Sequence, residues 1–215
     1  MGITTIVTLS NKPALLPEAI ASVMAQTRPC RHIWAFDGAQ DWAGRYPPAV
    51  WANQEWGRCD LDDYVAWLSD DDVLLPNYAA DLAGHLDAHP EHMAVYGLSQ
   101  HVTYDPATGI EVPMRVLPLG DRAQVFDASN RPLCKLDGGQ VMVRRSALEQ
   151  LPRPWVPEKI DGARVCDGAF LDKLALAFGI YPAAGFVMRN RATPYSAHSV
   201  SRGNYWAAAD WRRER

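Results

Sequence analysis

The order of apolar and polar stretches along the chain predicts strands that alternate with helices. The first stretch, residues 3–9, is continuously apolar or β-branched, as expected of a strand buried on both faces of a sheet. After a polar break, apolar side chains recur with helical spacing from Leu15 to Met24. A second strand at residues 31–36 then completes a unit of strand, helix and strand.

The same alternation continues through the rest of the chain. Two more helices are predicted at residues 77–88 and 169–178, and further strands at 64–68, 93–103, 110–112, 138–143 and 185–189. Residues 38–62 have little periodicity and predict a loop. We therefore expect an α/β fold with a mostly parallel central sheet flanked by helices, in a single domain that covers residues 1–215.

Three consecutive aspartates, Asp70, Asp71 and Asp72, follow directly after the predicted third strand. Adjacent like charges repel, and a bound divalent cation removes that repulsion, with Mg²⁺ or Mn²⁺ suited to hard oxygen ligands. On this segment alone, a solvated acidic turn at the start of the following helix is the alternative. In parallel sheets, ligands bind outside the carboxyl ends of strands, which groups this loop with residues 10–13 and 37–41.

Composition narrows the possible partners. The 215 residues carry 21 Lys and Arg against 25 Asp and Glu, a net charge of −4, so binding to bulk nucleic acid is not favoured. The four cysteines form no CxxC pair, which argues against a zinc site or a disulfide framework. The first residues lack the features of a secretory signal, and no stretch of 18 apolar residues predicts a transmembrane segment. We expect a soluble, cytoplasmic protein.

Four segments resemble motifs of the family 2 glycosyltransferases of the GT-A fold. In the first, residues 3–13 lead from a strand through a polar loop, and the following helix has a small-Ser-Val-x-x-Gln ending at residues 21–26. Residues 35–38 resemble the end of the family's second strand, and residues 67–76 resemble its metal-binding DxD segment. Residues 166–171 resemble the motif that supplies the catalytic base. Together these motifs span about residues 3–175.

The resemblance implies a GT-A-like, Rossmann-related fold and a glycosyltransferase activity. The expected reaction is an inverting, metal-dependent transfer of a sugar from a nucleoside-diphosphate donor, with a UDP-sugar favoured, to an acceptor hydroxyl by direct displacement. Residues 1–104 would form the nucleotide-sugar-binding half, and residues 105–215 the acceptor-binding half and C-terminal tail. The acceptor stays open among a glycan, a lipid-linked sugar, a protein side chain and a modified nucleobase.

The resemblance also implies donor-binding roles for particular residues. Asp37 would accept a hydrogen bond from the ring N–H of a uracil or thymine base, and Ser10 and Asn11 would line the same pocket. Asp70 would hold the ribose, and Asp71 would be the main metal ligand to the diphosphate.

Further metal and phosphate ligands are implied less directly. The usual first aspartate of the motif falls on Ser69, so the choice of metal ligand among the three aspartates stays open, with Asp72 as a further candidate. His198 stands where related enzymes often carry a histidine near the metal, and imidazole favours Mn²⁺ over Mg²⁺. Arg189, Arg191 and Arg202 could pair with phosphate oxygens, with ordinary surface arginines as the alternative.

Asp167 would be the general base that deprotonates the acceptor hydroxyl. The family's usual partner acid before it is replaced by Cys166, and Asp161 and Asp172 are competing carboxylates. A helix N-cap is the alternative role for Asp167.

Two other classes of function stay open. The departures at Ser69 and Cys166 would suit a catalytically degenerate, GT-A-like protein that binds a sugar or nucleotide. A nucleotidyltransferase ranks last because residues 9–12 lack the Gly-rich, basic phosphate loop that it would need. A Rossmann dehydrogenase is disfavoured because no GxGxxG follows the first strand.

Overall fold

The computed structural model describes residues 2, 4–10, 14–36, 61–133, 135–151, 159–160, 163–164 and 166–193. The α-helices are α1 Leu16–Met24, α2 Tyr78–Ala88, α3 Arg145–Gln150 and α4 Cys166–Phe178, with a 3-10 helix at Gly138–Gln140. The strands are β1 Thr4–Ser10, β2 Cys30–Phe36, β3 Tyr64–Ser69, β4 Val73–Leu74, β5 Ala94–Asp105, β6 Ile110–Leu117, β7 Val141–Arg144, β8 Lys159–Ile160, β9 Ala163–Arg164 and β10 Tyr181–Ala192. No helix in these ranges is long and apolar enough to cross a bilayer.

Eight strands form one mixed sheet in the order β2-β1-β3-β7-β5-β10-β4, with β6 paired to β5. β1 runs parallel to β2 and β3, and β5 runs parallel to β10, whereas β7, β4 and β6 pair antiparallel to their neighbours. The α/β class with a central sheet flanked by helices is confirmed; where we expected a mostly parallel sheet, the sheet is mixed. A long apolar run indicates a strand buried on both faces, and it carries no information about the direction of the neighbouring strand.

The predicted elements match the observed ones with shifted ends. The predicted strands at residues 3–9, 31–36 and 64–68 correspond to β1, β2 and β3, and the predicted helix at 77–88 corresponds to α2. The hairpin arm predicted at residues 110–112 extends further, as β6. The stretch at residues 138–143 divides into the 3-10 helix and β7. The predicted loop at residues 38–62 lies outside the described residues except for its last two positions.

β3 is buried on both of its faces, which explains its unbroken apolar sequence. Val65 and Trp67 join a core cluster that includes side chains of α3 and α4. Tyr64, Ala66 and Leu68 point to the other face and join a second cluster with side chains of α1 and α2. The sheet is therefore the middle layer between two layers of helices, and the three aspartates follow a strand at its centre.

The end of α1 holds the chain that follows those aspartates. Ser22 Oγ accepts a hydrogen bond from Leu74 N at 3.1 Å, in β4. Gln26 uses both ends of its amide: Nε2 donates to Leu75 O at 2.8 Å, and Oε1 accepts from Ala79 N at 2.9 Å, in the first turn of α2. The Ser-Val-x-x-Gln ending therefore fixes β4 and the start of α2 against α1.

Candidate active site

The three aspartates lie in a buried turn at the carboxyl end of β3. The strand ends at Ser69, and the chain reverses through Asp70 and Asp71, with Asp72 N donating to Ser69 O at 3.2 Å. Asp70, Asp71 and Asp72 are 2%, 5% and 2% exposed. Carboxylates this deeply buried are stable only with hydrogen-bond donors, counter-charges or a cation. The alternative of a solvated acidic turn is therefore wrong.

The last part of β10 holds Asp72 in place. Its Oδ1 accepts a hydrogen bond from Arg191 N at 2.7 Å, and its Oδ2 accepts one from Asn190 Nδ2 at 3.2 Å. Asn190 Nδ2 also donates to Asp137 Oδ2 at 2.8 Å, so one amide group joins two carboxylates. Because a carboxylate oxygen has two lone pairs, these contacts leave Asp72 with acceptor capacity for a further ligand.

Arg191 connects the acidic turn to α1. Its side chain is buried, with Nε donating to Asp71 O at 2.7 Å and a terminal nitrogen donating to Glu18 Oε2 at 2.6 Å. The guanidinium lies 4.2 Å from the centre of the Tyr104 ring, and the Tyr104 hydroxyl donates to Glu18 Oε1 at 3.0 Å. Arg191 therefore fixes the backbone of the turn through Asp71 O and leaves the side chain of Asp71 to other partners.

The charge of Glu18 depends on this network. Burial raises the pKa of Glu18, but the hydrogen bond and charge of Arg191, together with the Tyr104 hydroxyl, bring the pKa below its ordinary value of 4.5. A carboxyl whose pKa is lower in the folded state stabilises the fold above its unfolded-state pKa and loses that effect as the pH falls.

We expect Glu18→Gln to lower the free energy of unfolding at neutral pH, because the variant lacks the carboxylate that Arg191 binds. The difference from wild type should shrink below about pH 4.5, and urea unfolding across a pH series measures it.

We expect Arg191→Lys to lower the free energy of unfolding by about 1–3 kcal/mol, because the shorter side chain cannot hold both Asp71 O and Glu18 and leaves a buried acceptor unpaired. Arg189→Lys in the same strand is the matched control. Arg189 pairs with Glu111 on the surface at 3.0 Å, so this change should cost about 0–1 kcal/mol. Urea unfolding of the two variants measures both, and equal losses would contradict the special role of Arg191.

Asp137 forms the opposite wall of the acidic turn. Its Oδ1 accepts from Gly139 N at 3.0 Å, and its backbone N donates to Gln140 Oε1 at 3.0 Å, so it caps the 3-10 helix. Gln140 Nε2 donates to Gly97 O at 2.8 Å, which ties this helix to β5. The side chain of Asp137 therefore has a fixed position beside Asn190 and Asp72.

The carboxyl ends of β1, β2 and β3 lie side by side. In the sheet, Ser10 pairs with Phe36, and Leu9 pairs with Ser69. This register brings the backbone of Ser10 next to the strand end from which Asp70 emerges, as the parallel pairing of these strands predicts. Asn11, Asp37 and His198 lie outside the described residues.

The N-terminal part of α4 packs against the carboxyl-terminal half of β3. Phe170 meets Trp67 edge to face, with ring centroids 5.0 Å apart. Asp167 is the second residue of α4, three positions before Phe170, and its side chain lies outside the described part of the chain. The side chain of the competing carboxylate Asp172 is 15% exposed, and Arg131 donates to its Oδ2 at 2.6 Å.

Several residues of this site had no role in the sequence-based prediction. These are Glu18, Tyr104, Asp137 and Asn190. Arg191 was considered as a phosphate partner or an ordinary surface arginine; the structure shows it buried and paired within the protein. The polar pair Asn190 and Arg191 in a late strand was the one local signal of a site at this position.

Structures of S. aureus TarS share this fold. TarS 1-349 in complex with UDP-GlcNAc matches with a TM-score of 0.63 and 16% identity, over 94% of this chain and 61% of that chain. The complex of TarS 1-349 with UDP matches with a TM-score of 0.60 and 14% identity, over 90% and 61%. TarS 1-349 alone gives a TM-score of 0.62 at 13% identity, over 88% and 60%. This chain therefore shares the α/β fold of TarS and spans about three-fifths of the length of TarS 1-349.

Comparisons of the sequence itself give no match. No family model matches the chain, and no curated protein matches it. The likeness to TarS is therefore one of fold.

Proposed function

We propose that this protein is a glycosyltransferase that moves a sugar from a nucleoside-diphosphate donor, a UDP-sugar, to an acceptor hydroxyl. The observation that carries the proposal is the buried turn Asp70-Asp71-Asp72 at the carboxyl end of the central strand. In α/β sheets this edge is where ligands bind. The shared fold supports the same assignment, because TarS has been solved with UDP and with UDP-GlcNAc.

The side chains of the acidic turn suit a hard divalent cation. Asp70, Asp71 and Asp72 offer carboxylate oxygens, the ligand type that Mg²⁺ and Mn²⁺ prefer, in a place where little water competes. We assign Asp71 as the main ligand, which is the role that the resemblance of residues 67–76 to the DxD segment implies. Asp72 is a second ligand, held by Asn190 and the Arg191 backbone, and His198 is a third. When bound, the cation would neutralise the charge on the departing diphosphate.

The same edge of the sheet would take the nucleotide. Ser10 and Asn11 would line the base pocket at the end of β1. Asp37, which follows directly after β2, would accept a hydrogen bond from the ring N–H of uracil. Asp70 would hold the ribose. The register that brings the ends of these three strands together supports this arrangement.

Asp167 is the proposed general base of an inverting displacement. It takes the proton from the acceptor hydroxyl while that oxygen attacks the anomeric carbon and the diphosphate leaves. The contact between Phe170 and Trp67 supports this role, because it sets the N-terminal part of α4 beside the strand that leads into the acidic turn. In this proposal residues 1–104 bind the donor, and residues 105–215 bind a glycan, lipid-linked, protein or modified-base acceptor.

Calorimetric titration of UDP, TDP and GDP, each with and without Mn²⁺, tests the donor site. We expect UDP to bind, and to bind at least about a hundredfold more tightly with Mn²⁺ than without it. Folded protein that binds none of the three diphosphates would overturn the proposal. UDP binding without any release of UDP from UDP-sugars would instead favour the degenerate, sugar- or nucleotide-binding alternative.

A further inference from the structure

A second group of possible metal ligands lies at the other end of α2. Three histidines, His85, His89 and His92, lie in the segment His-Leu-Asp-Ala-His-Pro-Glu-His, and Glu91 stands between the last two of them. α2 begins just after the acidic turn and runs for 11 residues, or about 16 Å at 1.5 Å per residue. The histidine cluster, as we call these four residues, is therefore separate from the proposed donor site.

The nitrogen and oxygen atoms of the cluster are spaced like the ligands of a small metal ion. Glu91 Oε1 lies 3.3 Å from His89 Nδ1 and 3.7 Å from His92 Nε2. One ligand atom from each of these three residues lies within 4.8 Å of the others. A tetrahedral Zn²⁺ with ligands about 2.0–2.1 Å away places neighbouring ligand atoms about 3.3 Å apart. The two spacings to Glu91 Oε1 come close to this value.

His92 is held in the orientation that a ligand needs. Its Nδ1 lies 3.0 Å from His85 Nε2, and its ring stacks on Tyr181 with centroids 3.7 Å apart and planes 7° from parallel. A hydrogen bond at one ring nitrogen directs the other nitrogen to the metal and sets its protonation, which is how supporting residues act in metal sites. His85 is therefore a positioning residue, and His92 Nε2 is the atom that faces Glu91.

The backbone around the cluster is also fixed. Arg144, the last residue of β7, donates from Nε to His92 O at 2.8 Å and from a terminal nitrogen to His89 O at 3.3 Å. The same side chain binds Leu86 O at 2.5 Å, so it satisfies carbonyl groups at the end of α2. These bonds hold the loop at a set distance from the helix, although His89 and Glu91 remain open to solvent at 47% and 64% exposure.

We propose that His89, Glu91 and His92 bind a divalent cation of the zinc class, with water in the remaining position. Two imidazole nitrogens and one carboxylate oxygen suit Zn²⁺, Co²⁺ or Ni²⁺, and they disfavour Mg²⁺, which prefers an all-oxygen shell. The bound ion ties the end of α2 to the start of β10 through His92 and Tyr181. This site is independent of the glycosyltransferase proposal.

Zinc titration of the full chain without nucleotide, by calorimetry in excess Mg²⁺, tests the site. We expect one Zn²⁺ per chain at the cluster, a loss of a hundredfold or more in affinity for His89→Ala and His92→Ala, and a loss of about 10–100-fold for His85→Gln. Glu91→Gln, an exposed change that should leave the fold intact, should also weaken binding. His32→Gln in β2 is the matched histidine control, and this variant should bind Zn²⁺ with the affinity of the wild-type protein.

The visible spectrum of bound Co²⁺ gives an independent readout. Four-coordinate Co²⁺ with imidazole ligands absorbs strongly, and we expect this band in wild type and in Asp71→Asn but not in His92→Ala. Absence of Zn²⁺ binding by the wild-type chain would overturn the proposal. Zinc affinity unchanged in both His89→Ala and Glu91→Gln, with circular dichroism showing folded protein, would overturn it as well.

Discussion

Asp71→Asn is expected to lower the affinity for UDP in the presence of Mn²⁺ by about a hundredfold or more. The change removes the charge of the proposed main metal ligand, and the metal's interaction with the diphosphate is worth several kcal/mol. The hydrogen bond from Arg191 Nε goes to the backbone carbonyl of Asp71, so this contact should survive the change. Calorimetric titration with and without Mn²⁺ measures the effect, and without the metal both proteins should bind equally weakly.

Glu149→Gln is the control for loss of one negative charge. Glu149 is exposed in α3 and pairs with Arg145 at 3.3 Å. α3 follows β7, whose last residue Arg144 pairs with Tyr64 at the start of β3, so Glu149 lies away from the acidic turn. The Glu149→Gln variant should bind UDP with the same affinity as the wild-type protein. If Asp71→Asn also keeps wild-type affinity with Mn²⁺, Asp71 is not the ligand, and Asp70 and Asp72 become the candidates.

Asp167→Asn is expected to leave UDP binding unchanged and to lower the turnover number by about 10²–10⁴-fold, the usual contribution of a general base. Asn keeps the size of the side chain and an oxygen acceptor for a helix N-terminus, so α4 should still begin at the same place. The measurement is the rate of UDP release from whichever UDP-sugar the wild-type protein turns over. UDP affinity by calorimetry supplies the second readout.

Asp172→Asn is the matched control, five residues further along α4. The change weakens the contact with Arg131 and should lower stability slightly while turnover continues. The opposite pattern, with turnover lost in Asp172→Asn and kept in Asp167→Asn, would make Asp172 the base. Wild-type turnover in both variants would exclude both and leave Asp161 to be tested.

Local sequence patterns were sufficient for most of the secondary structure. The periodicity of apolar residues predicted β1, α1, β2, β3 and α2, because burial of a strand or helix face requires apolar side chains at fixed spacing. Short elements escaped prediction: β4 has two residues and α3 has six, too few to show a period. For the site, the run of aspartates after a buried strand was enough to locate the acidic turn, because this part of the site consists of consecutive residues.

The Ser-Val-x-x-Gln ending of α1 shows the difference between a pattern and its reason. The pattern could be recognised in the sequence, but the contacts that its side chains make could not. Ser22 and Gln26 bind the backbone of β4 and the first turn of α2, 49 to 53 residues away. A side chain that pairs with a distant backbone amide leaves no periodic trace, so only the folded chain shows that this motif supports the acidic turn.

The sequence by itself therefore determined the α/β class, the main elements and the position of the acidic turn, since each depends on residues that are neighbours in the chain. The tertiary structure decided the direction of β7 and the partners of the turn. Asn190 and Arg191 reach Asp72 across 118 and 119 residues, and Arg191 reaches Glu18 across 173. Contacts of this kind exist only once β10 has paired with β5 and β4, and apolar periodicity does not specify which strands pair.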